Sequence, residues 1–154
     1  AVLPAGDAPA RLEEAGFAFG TLADFDAARM PLGIPDGSRD LEPERATLIE
    51  SGFDELHGIS WDKGCFMGQE LTARMKYRGL AKKRLVPVRI EGPTPEPGTQ
   101  VQRGNKVAGT LRSATDGMGL ALLKLDQIDA DESAAPLLAG ESTLTPAKPA
   151  WASF

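Results

Sequence analysis

Helix cannot run far through the second half of this chain. Gly92-Pro93-Thr94-Pro95-Glu96-Pro97-Gly98 packs prolines and glycines into a rigid, turn-rich loop, and a helix interior tolerates neither residue well. The segments around it are short and strand-like. Arg84–Ile90 alternates apolar and polar residues, with Leu85 out of step. Gln100–Gln102 and Lys106–Arg112 flank Arg103-Gly104-Asn105, which reads as a hairpin. Met118–Leu125 is a mostly apolar run, and Glu141–Thr145 reads as a last short strand before Pro146, Pro149 and Trp151. Four or five such strands predict a small barrel or sandwich beginning near residues 82–84. With 17 Gly and 12 Pro in 154 residues, the chain is turn-rich throughout, which disfavours a long-helix bundle.

The first half reads as short helices in loops. Asp7, Pro9 and Gly16 bracket one within residues 1–20. Thr21 and Asp24 have capping-box spacing for a second over 22–30, stopped by Pro31 and Gly33. Gly33-Ile34-Pro35-Asp36-Gly37-Ser38 reads as loop. A third helix is expected over 43–51, with Pro43 first, Leu48 and Ile49 inward and Gly52 at the end. Ile59 and Trp61 alternate with polar residues, predicting a strand at 57–62. A stronger helix signal runs over 66–78, where Met67, Leu71 and Met75 make one apolar stripe and Gly79 follows.

Charge and cysteine content narrow the chemistry. The net charge of −5 argues against general nucleic-acid binding. No apolar run approaches the roughly 18–20 residues that a membrane-crossing helix needs, and no basic segment followed by an apolar one marks a signal peptide at Ala1-Val2-Leu3-Pro4. A single cysteine excludes an internal disulfide framework and a cysteine-ligated metal site within one chain; no metal ligands are assigned.

That cysteine sits in Lys63-Gly64-Cys65-Phe66-Met67-Gly68-Gln69-Glu70, between the expected strand and the expected helix. Gly64 gives the bend its backbone freedom. A thiol at a helix N-terminus faces unpaired N–H groups that favour thiolate, and Lys63 adds positive charge. Gln69 and Glu70 offer an amide and a carboxylate nearby. The arrangement permits an activated thiolate, a metal-bridging thiolate or a redox-sensitive one. A lone cysteine is also commonly a small buried apolar residue. His57, the only imidazole, more often packs or caps than pairs with a thiol eight residues away. Residues 74–84 hold Arg74, Lys76, Arg78, Lys82, Lys83 and Arg84 and no acid, a cluster that can steer an anion or simply answer the dipole of a helix end.

The Lys63–Glu70 segment resembles the K-G-C-[FY]-x-G-Q-E signature of the YgfZ family. Arg29, Gly33-Ile34-Pro35, Pro43-Glu44, Leu71-Thr72-Ala73-Arg74, Tyr77-Arg78-Gly79 and Lys83-Arg84-Leu85 follow in that family's order, and Ala108-Gly109, Arg112-Ser113 and Gly119–Leu123 resemble its C-terminal barrel. These are folate-binding proteins, related to the glycine-cleavage T-protein, that are implicated in iron–sulfur cluster assembly and repair. The resemblance covers about residues 25–152 and implies an α+β chain. Residues 1–82 would be the C-terminal part of a T-protein-like folate-binding domain, and 83–154 a small antiparallel β-barrel. It also implies that this is the C-terminal portion of a longer protein, with much of the pterin pocket upstream.

In that reading Cys65 is the reactive thiol, with Lys63 stabilising its thiolate. Gly64, Gly68, Gln69, Glu70, Arg74 and Arg78 bind the cofactor, tetrahydrofolate or a derivative, and the Lys82–Arg84 run attracts its anionic tail. Partners would be a folate and iron–sulfur assembly or client proteins, with neither nucleic acid nor membrane, in the cytoplasm. One cysteine cannot hold a four-ligand cluster, so further ligands would come from elsewhere. Two alternatives stand beside it. One is a tetrahydrofolate-dependent aminomethyltransferase. Against it, Pro31 replaces the glutamate with which the T-protein grips the pterin, and the T-protein lacks this cysteine; enzymatic activity is left open. The other is a non-catalytic interaction module in which Cys65 is only structural.

Overall fold

The computed structural model describes residues 6–130 and 134–154; the opening Ala1-Val2-Leu3-Pro4 lies outside the described residues. Helices α1 (Ala8–Glu14), α2 (Leu22–Arg29), α3 (Gly37–Asp40) and α4 (Gln69–Tyr77) precede β1 (Lys83–Glu91), β2 (Gln100–Arg103), β3 (Lys106–Thr115) and β4 (Met118–Lys124). A short α5 (Leu125–Ile128), β5 (Leu137–Ala139) and β6 (Ser142–Pro146) complete the chain. The strands close into an antiparallel barrel in the order β1-β4-β3-β2-β5-β6. The fold is therefore α+β, with the helices ahead of the barrel.

The barrel's interior is filled by Val86, Val88 and Ile90 of β1, Val101 of β2, Leu111 of β3, Leu123 of β4, and Leu137 and Leu144 of the last two strands. Closure leaves no unpaired edge, so the ladder hydrogen bonds are satisfied around the ring. The hairpin around Gly104-Asn105 forms as expected, with Gly104 at φ 56°. Strand β5 was not expected: Leu137–Ala139 carries too few residues for a period-two signal, and its pairing with β2 and β6 supplies what local sequence does not. Gly109 is required by packing, because a Cβ there would sit 2.2 Å from the Leu122 carbonyl oxygen.

Strand β1 also breaks its alternating pattern for a reason. Leu85, Val86, Pro87 and Val88 are all buried, because the strand is covered on both faces. Val86 and Val88 point into the barrel, while Leu85 joins Met30 and Leu120 in a second cluster beneath the N-terminal segment.

A buried ionic network fastens that segment. Arg29 is only 3% exposed. Its Nε donates to Asp26 Oδ1 at 2.7 Å, its Nη1 to Asp40 Oδ2 at 2.6 Å and to the Ile34 carbonyl at 3.0 Å, and its Nη2 to Ser113 Oγ on β3 at 3.3 Å. Arg39 grips Asp26 and Asp36 from the outside. Trp151 Nε1 donates to the Leu32 carbonyl at 2.8 Å, holding the C-terminal tail against the same segment.

Several local expectations need correction. The capping box of α2 forms, Thr21 Oγ1 accepting from Asp24 N and Asp24 accepting from Thr21 N. The loop at 33–38, however, contains the start of α3, whose N-cap Asp36 accepts from Ser38 N. Residues 43–51 are successive turns instead of a helix. Glu44 takes φ 62°, which a helix cannot accommodate, and Leu48 faces solvent while Ile49 is buried. No strand forms at 57–62. His57 adopts φ 56°, and Ile59 packs with Ile49 and Met75 while Trp61 flanks them. Helix α4 starts three residues later than the pattern predicts, because Gly68 is its N-cap in the left-handed region at φ 84°. Of the expected stripe only Met75 is buried; Leu71 is exposed and Met67 fully so.

Candidate functional site

The Lys63–Gly68 segment arrives at α4 as an exposed loop with no strand behind it. The backbone freedom that this turn needs is supplied by Gly68, not by Gly64, whose φ is ordinary. Gly68 turns the chain so that its own carbonyl accepts from Thr72 N at 3.2 Å and from Thr72 Oγ1 at 3.1 Å, launching the helix. Gln69 Oε1 reaches back to accept from Phe66 N at 3.3 Å. This bond ties the loop, at the residue after Cys65, to the first turn of the helix.

Cys65 is exposed and forms no disulfide. It precedes the N-cap by three residues, outside the helix, so the direct alignment of thiol with the first N–H groups that the sequence suggested does not arise. Lys63 Nζ lies 5.0 Å from the centre of the Phe66 ring, a cation–π contact. Gly64, Gly68, Gln69 and Glu70 are all exposed around the same turn. Phe66, Gly68, Gln69, Leu71, Ala73 and Arg74 line an open, shallow concavity along α4.

The basic residues differ in their surroundings. Arg74 pairs with Glu70 one turn earlier on α4. Lys76 lies 4.9 Å from the centre of the Trp61 ring, which also meets Tyr77 edge-on, and 3.9 Å from Asp54. Arg84 is buried and committed to the fold, donating to the Ile49 carbonyl and to Asp54 Oδ1 at 3.0 Å. The expected anion-attracting run of Lys82, Lys83 and Arg84 thus loses its last member. Arg78, at the C-cap of α4, and Lys82 and Lys83 remain exposed. The structure therefore gathers Lys63, Gly64, Cys65, Gly68, Gln69, Glu70 and Arg74 around one helix start and leaves Arg78 at the far end of that helix.

Pro31 follows α2 and offers no carboxylate. Among the described residues no three His, Cys, Asp or Glu side chains group as a metal site, and no helix is long and apolar enough to cross a membrane. Sequence reasoning missed the buried Arg29–Asp26–Asp40 network and the Arg84–Asp54 pair. The Arg29–Asp40 and Arg84–Asp54 pairs join residues 11 and 30 apart in the chain, and nothing local distinguishes these charges from solvated ones.

Comparison with known proteins gives the following similarities. Residues 82–154 match the family described as CAF17, C-terminal beta-barrel domain. The chain is 41% identical over 115 residues to the mouse (Mus musculus) protein named iron-sulfur cluster assembly factor IBA57, mitochondrial, a match covering 71% of this chain and 32% of that protein. Its human (Homo sapiens) counterpart is 39% identical over 118 residues, covering 73% and 33%. A homologue from Yarrowia lipolytica is 34% identical over 103 residues, covering 66% and 22%. The chain thus spans a third or less of the length of these relatives.

Proposed function

We propose, from the match of residues 82–154 to the CAF17 C-terminal beta-barrel domain, that this chain is the C-terminal portion of an IBA57-type iron–sulfur cluster assembly factor. The division at 82/83 is part of the proposal: residues 1–82 complete a folate-binding domain and 83–154 form the barrel that braces it. The similarity to relatives named as assembly factors supports the class of function.

The observation that carries the site is the exposure of Cys65 beside the concavity of α4. A thiol presented on an open loop is available for exchange with a cluster, a thiol adduct or a partner's cysteine. A buried structural cysteine has no such access. Lys63 keeps positive charge on the same loop while its stem and ammonium cover the Phe66 ring.

The residues fit one end of a folate. Gln69 supplies an amide, Phe66 and Leu71 an apolar floor, and exposed Arg78 a cation for a carboxylate tail. Arg74 engages a second carboxylate only by exchanging its Glu70 partner. Tetrahydrofolate, when bound, would supply one-carbon chemistry, with its pterin end held by residues beyond this chain. Pro31 weighs against T-protein-style aminomethyl transfer. The iron–sulfur cluster itself is cargo, since one cysteine cannot enclose it. The compartment we propose is one in which thiols stay reduced. The animal relatives are named as mitochondrial.

Complementation of cells lacking the corresponding factor tests this reading. Full-length protein should restore the activity of cluster-dependent enzymes and its Cys65→Ser variant should not. Full rescue by Cys65→Ser would reduce Cys65 to a structural residue and leave an interaction module. Turnover in a glycine-cleavage assay would instead restore the aminomethyltransferase alternative.

A further inference from the structure

Three strands bring lysines to one end of the barrel. Strand β1 begins there with Lys83, β4 ends there with Lys124 and β3 begins there with Lys106, and these strands are neighbours in the order β1-β4-β3. Lys83 and Lys124 stand directly opposite each other in the β1–β4 register, which sets their Cα atoms about 5 Å apart. With Lys82, which precedes β1, they line an open hollow whose apolar part is Leu125.

Such an arrangement is unfavourable by itself, because like charges directly opposite on antiparallel strands repel. Among the described residues, none of Lys82, Lys83, Lys106 and Lys124 makes an ion pair. Lys124 Nζ donates to the Val107 carbonyl, a neutral acceptor, at 2.7 Å. Two acids stand beside the lysines. Asp126 lines the hollow and accepts from Gln127 Nε2 at 3.2 Å, and Glu50 Oε1 accepts from the Lys82 backbone N–H at 3.4 Å. Arg103, which closes β2 at the same end, is committed to Gln127 and to the Ala135 carbonyl. The chain as a whole carries −5, so this end is a positive patch on an acidic molecule.

We propose that this barrel end docks an acidic segment of a partner protein, its carboxylates received by Lys82, Lys83 and Lys124, with Lys106 at the rim. Charge complementarity selects the partner: several ammonium groups around one hollow suit carboxylates close together in sequence, and their arrival relieves the repulsion between Lys83 and Lys124. A nucleic acid fits less well. No aromatic side chain lines the hollow for a base to stack on, and a phosphate track leaving the patch would run onto an acidic molecule. The surface lies on the barrel and uses neither Cys65 nor α4, so it and the Cys65 reading can fail separately.

Titration of the 154-residue chain with an α-linked hexaglutamate peptide, followed by ¹⁵N–¹H NMR, tests the proposal. Saturable shifts should gather at residues 81–84, 106–108 and 122–126, and affinity should fall several-fold between about 20 mM and about 200 mM salt. Lys83→Glu sets a carboxylate opposite Lys124. It should weaken the peptide by about tenfold while raising the melting midpoint, because a like-charge pair becomes an opposite one. Lys82→Gln combined with Lys124→Gln, which creates no new ion pair, should weaken the peptide by a similar factor and keeps the test decisive should Lys83→Glu disturb the fold. A γ-linked hexaglutamate of the kind a folate carries and a short single-stranded oligothymidylate serve as rival ligands. Shifts that do not saturate, unchanged affinity in the double variant, or a rival binding as tightly as the α-linked peptide would overturn the proposal.

Discussion

Arg29 Nη2 lies 3.3 Å from Ser113 Oγ, a hydrogen bond between α2 and the third strand of the barrel. Among the described residues it is the one side-chain hydrogen bond that the N-terminal ionic network makes to the barrel. The rest of that network, Asp26, Asp40 and the Ile34 carbonyl, lies within the N-terminal segment.

Replacing Arg29 should therefore be severe. Arg29→Met leaves Asp26 and Asp40 buried with reduced compensation, and breaking a buried pair of this kind costs about 3–5 kcal/mol. Urea denaturation should show that loss, whereas Ser113→Ala, which removes one bond and leaves the charges matched, should lose about 1 kcal/mol. Equal effects from the two would mean that the network contributes little beyond the single contact.

The same network makes stability depend on acid. Hydrogen bonds from Arg39 hold Asp26 and Asp36 below the usual carboxylate range, and Arg112 does the same for Glu42. The unfolded chain then takes up protons first as pH falls. The stabilisation is fully present above the ordinary carboxylate pKa of about 4 and is lost as pH drops through the lowered folded values. Arg39→Gln should lower stability near neutrality and flatten the fall between about pH 6 and pH 3, as read from denaturation midpoints across that range. An unchanged slope would remove Arg39 as the cause.

Gly109 should not tolerate a side chain. Alanine there would place its Cβ 2.2 Å from the Leu122 carbonyl oxygen and 2.9 Å from Leu123 Cα, both backbone atoms of the neighbouring strand. Gly109→Ala should cost more than about 2 kcal/mol, because strands β3 and β4 must separate. Gly37→Ala meets nothing within 4 Å in helix α3 and should be neutral or slightly stabilising. Comparing the two melting midpoints separates a steric requirement from a general sensitivity to glycine replacement.

Arg84 and Lys82 should behave as opposites although they sit two residues apart in the same basic run. Arg84→Ala abandons Asp54 and the Ile49 carbonyl and should destabilise by about 3 kcal/mol. Lys82→Ala, at an exposed side chain, should fall within about 0.5 kcal/mol of the parent. If the run served only as an anion-attracting surface, the two would match in stability and differ only in ligand binding.

The cysteine should separate stability from activity. Cys65 is exposed on its loop, so Cys65→Ser should leave the denaturation midpoint within about 0.5 kcal/mol of the parent while abolishing rescue of cluster enzymes in cells. A large stability loss would contradict its surface position.

The barrel and the capping box of α2 were legible in the chain because each is written locally: turn residues at Gly104-Asn105, alternation along short strands, and Thr21 three residues before Asp24. The Lys63–Glu70 segment was legible for the same reason, as residues contiguous in sequence. Tertiary structure decided the rest. It made turns of 43–51, where Glu44 takes a left-handed backbone, and dissolved the expected strand at 57–62. It left Met67 and Leu71 in solvent though their spacing matched Met75, and it buried Arg84 while exposing Lys82 and Lys83. Periodicity reports which residues share a face of one element, and turn chemistry reports where an element stops. Neither reports what that face will meet, and burial of a charge or exposure of a methionine is settled only when a distant segment supplies, or fails to supply, the partner.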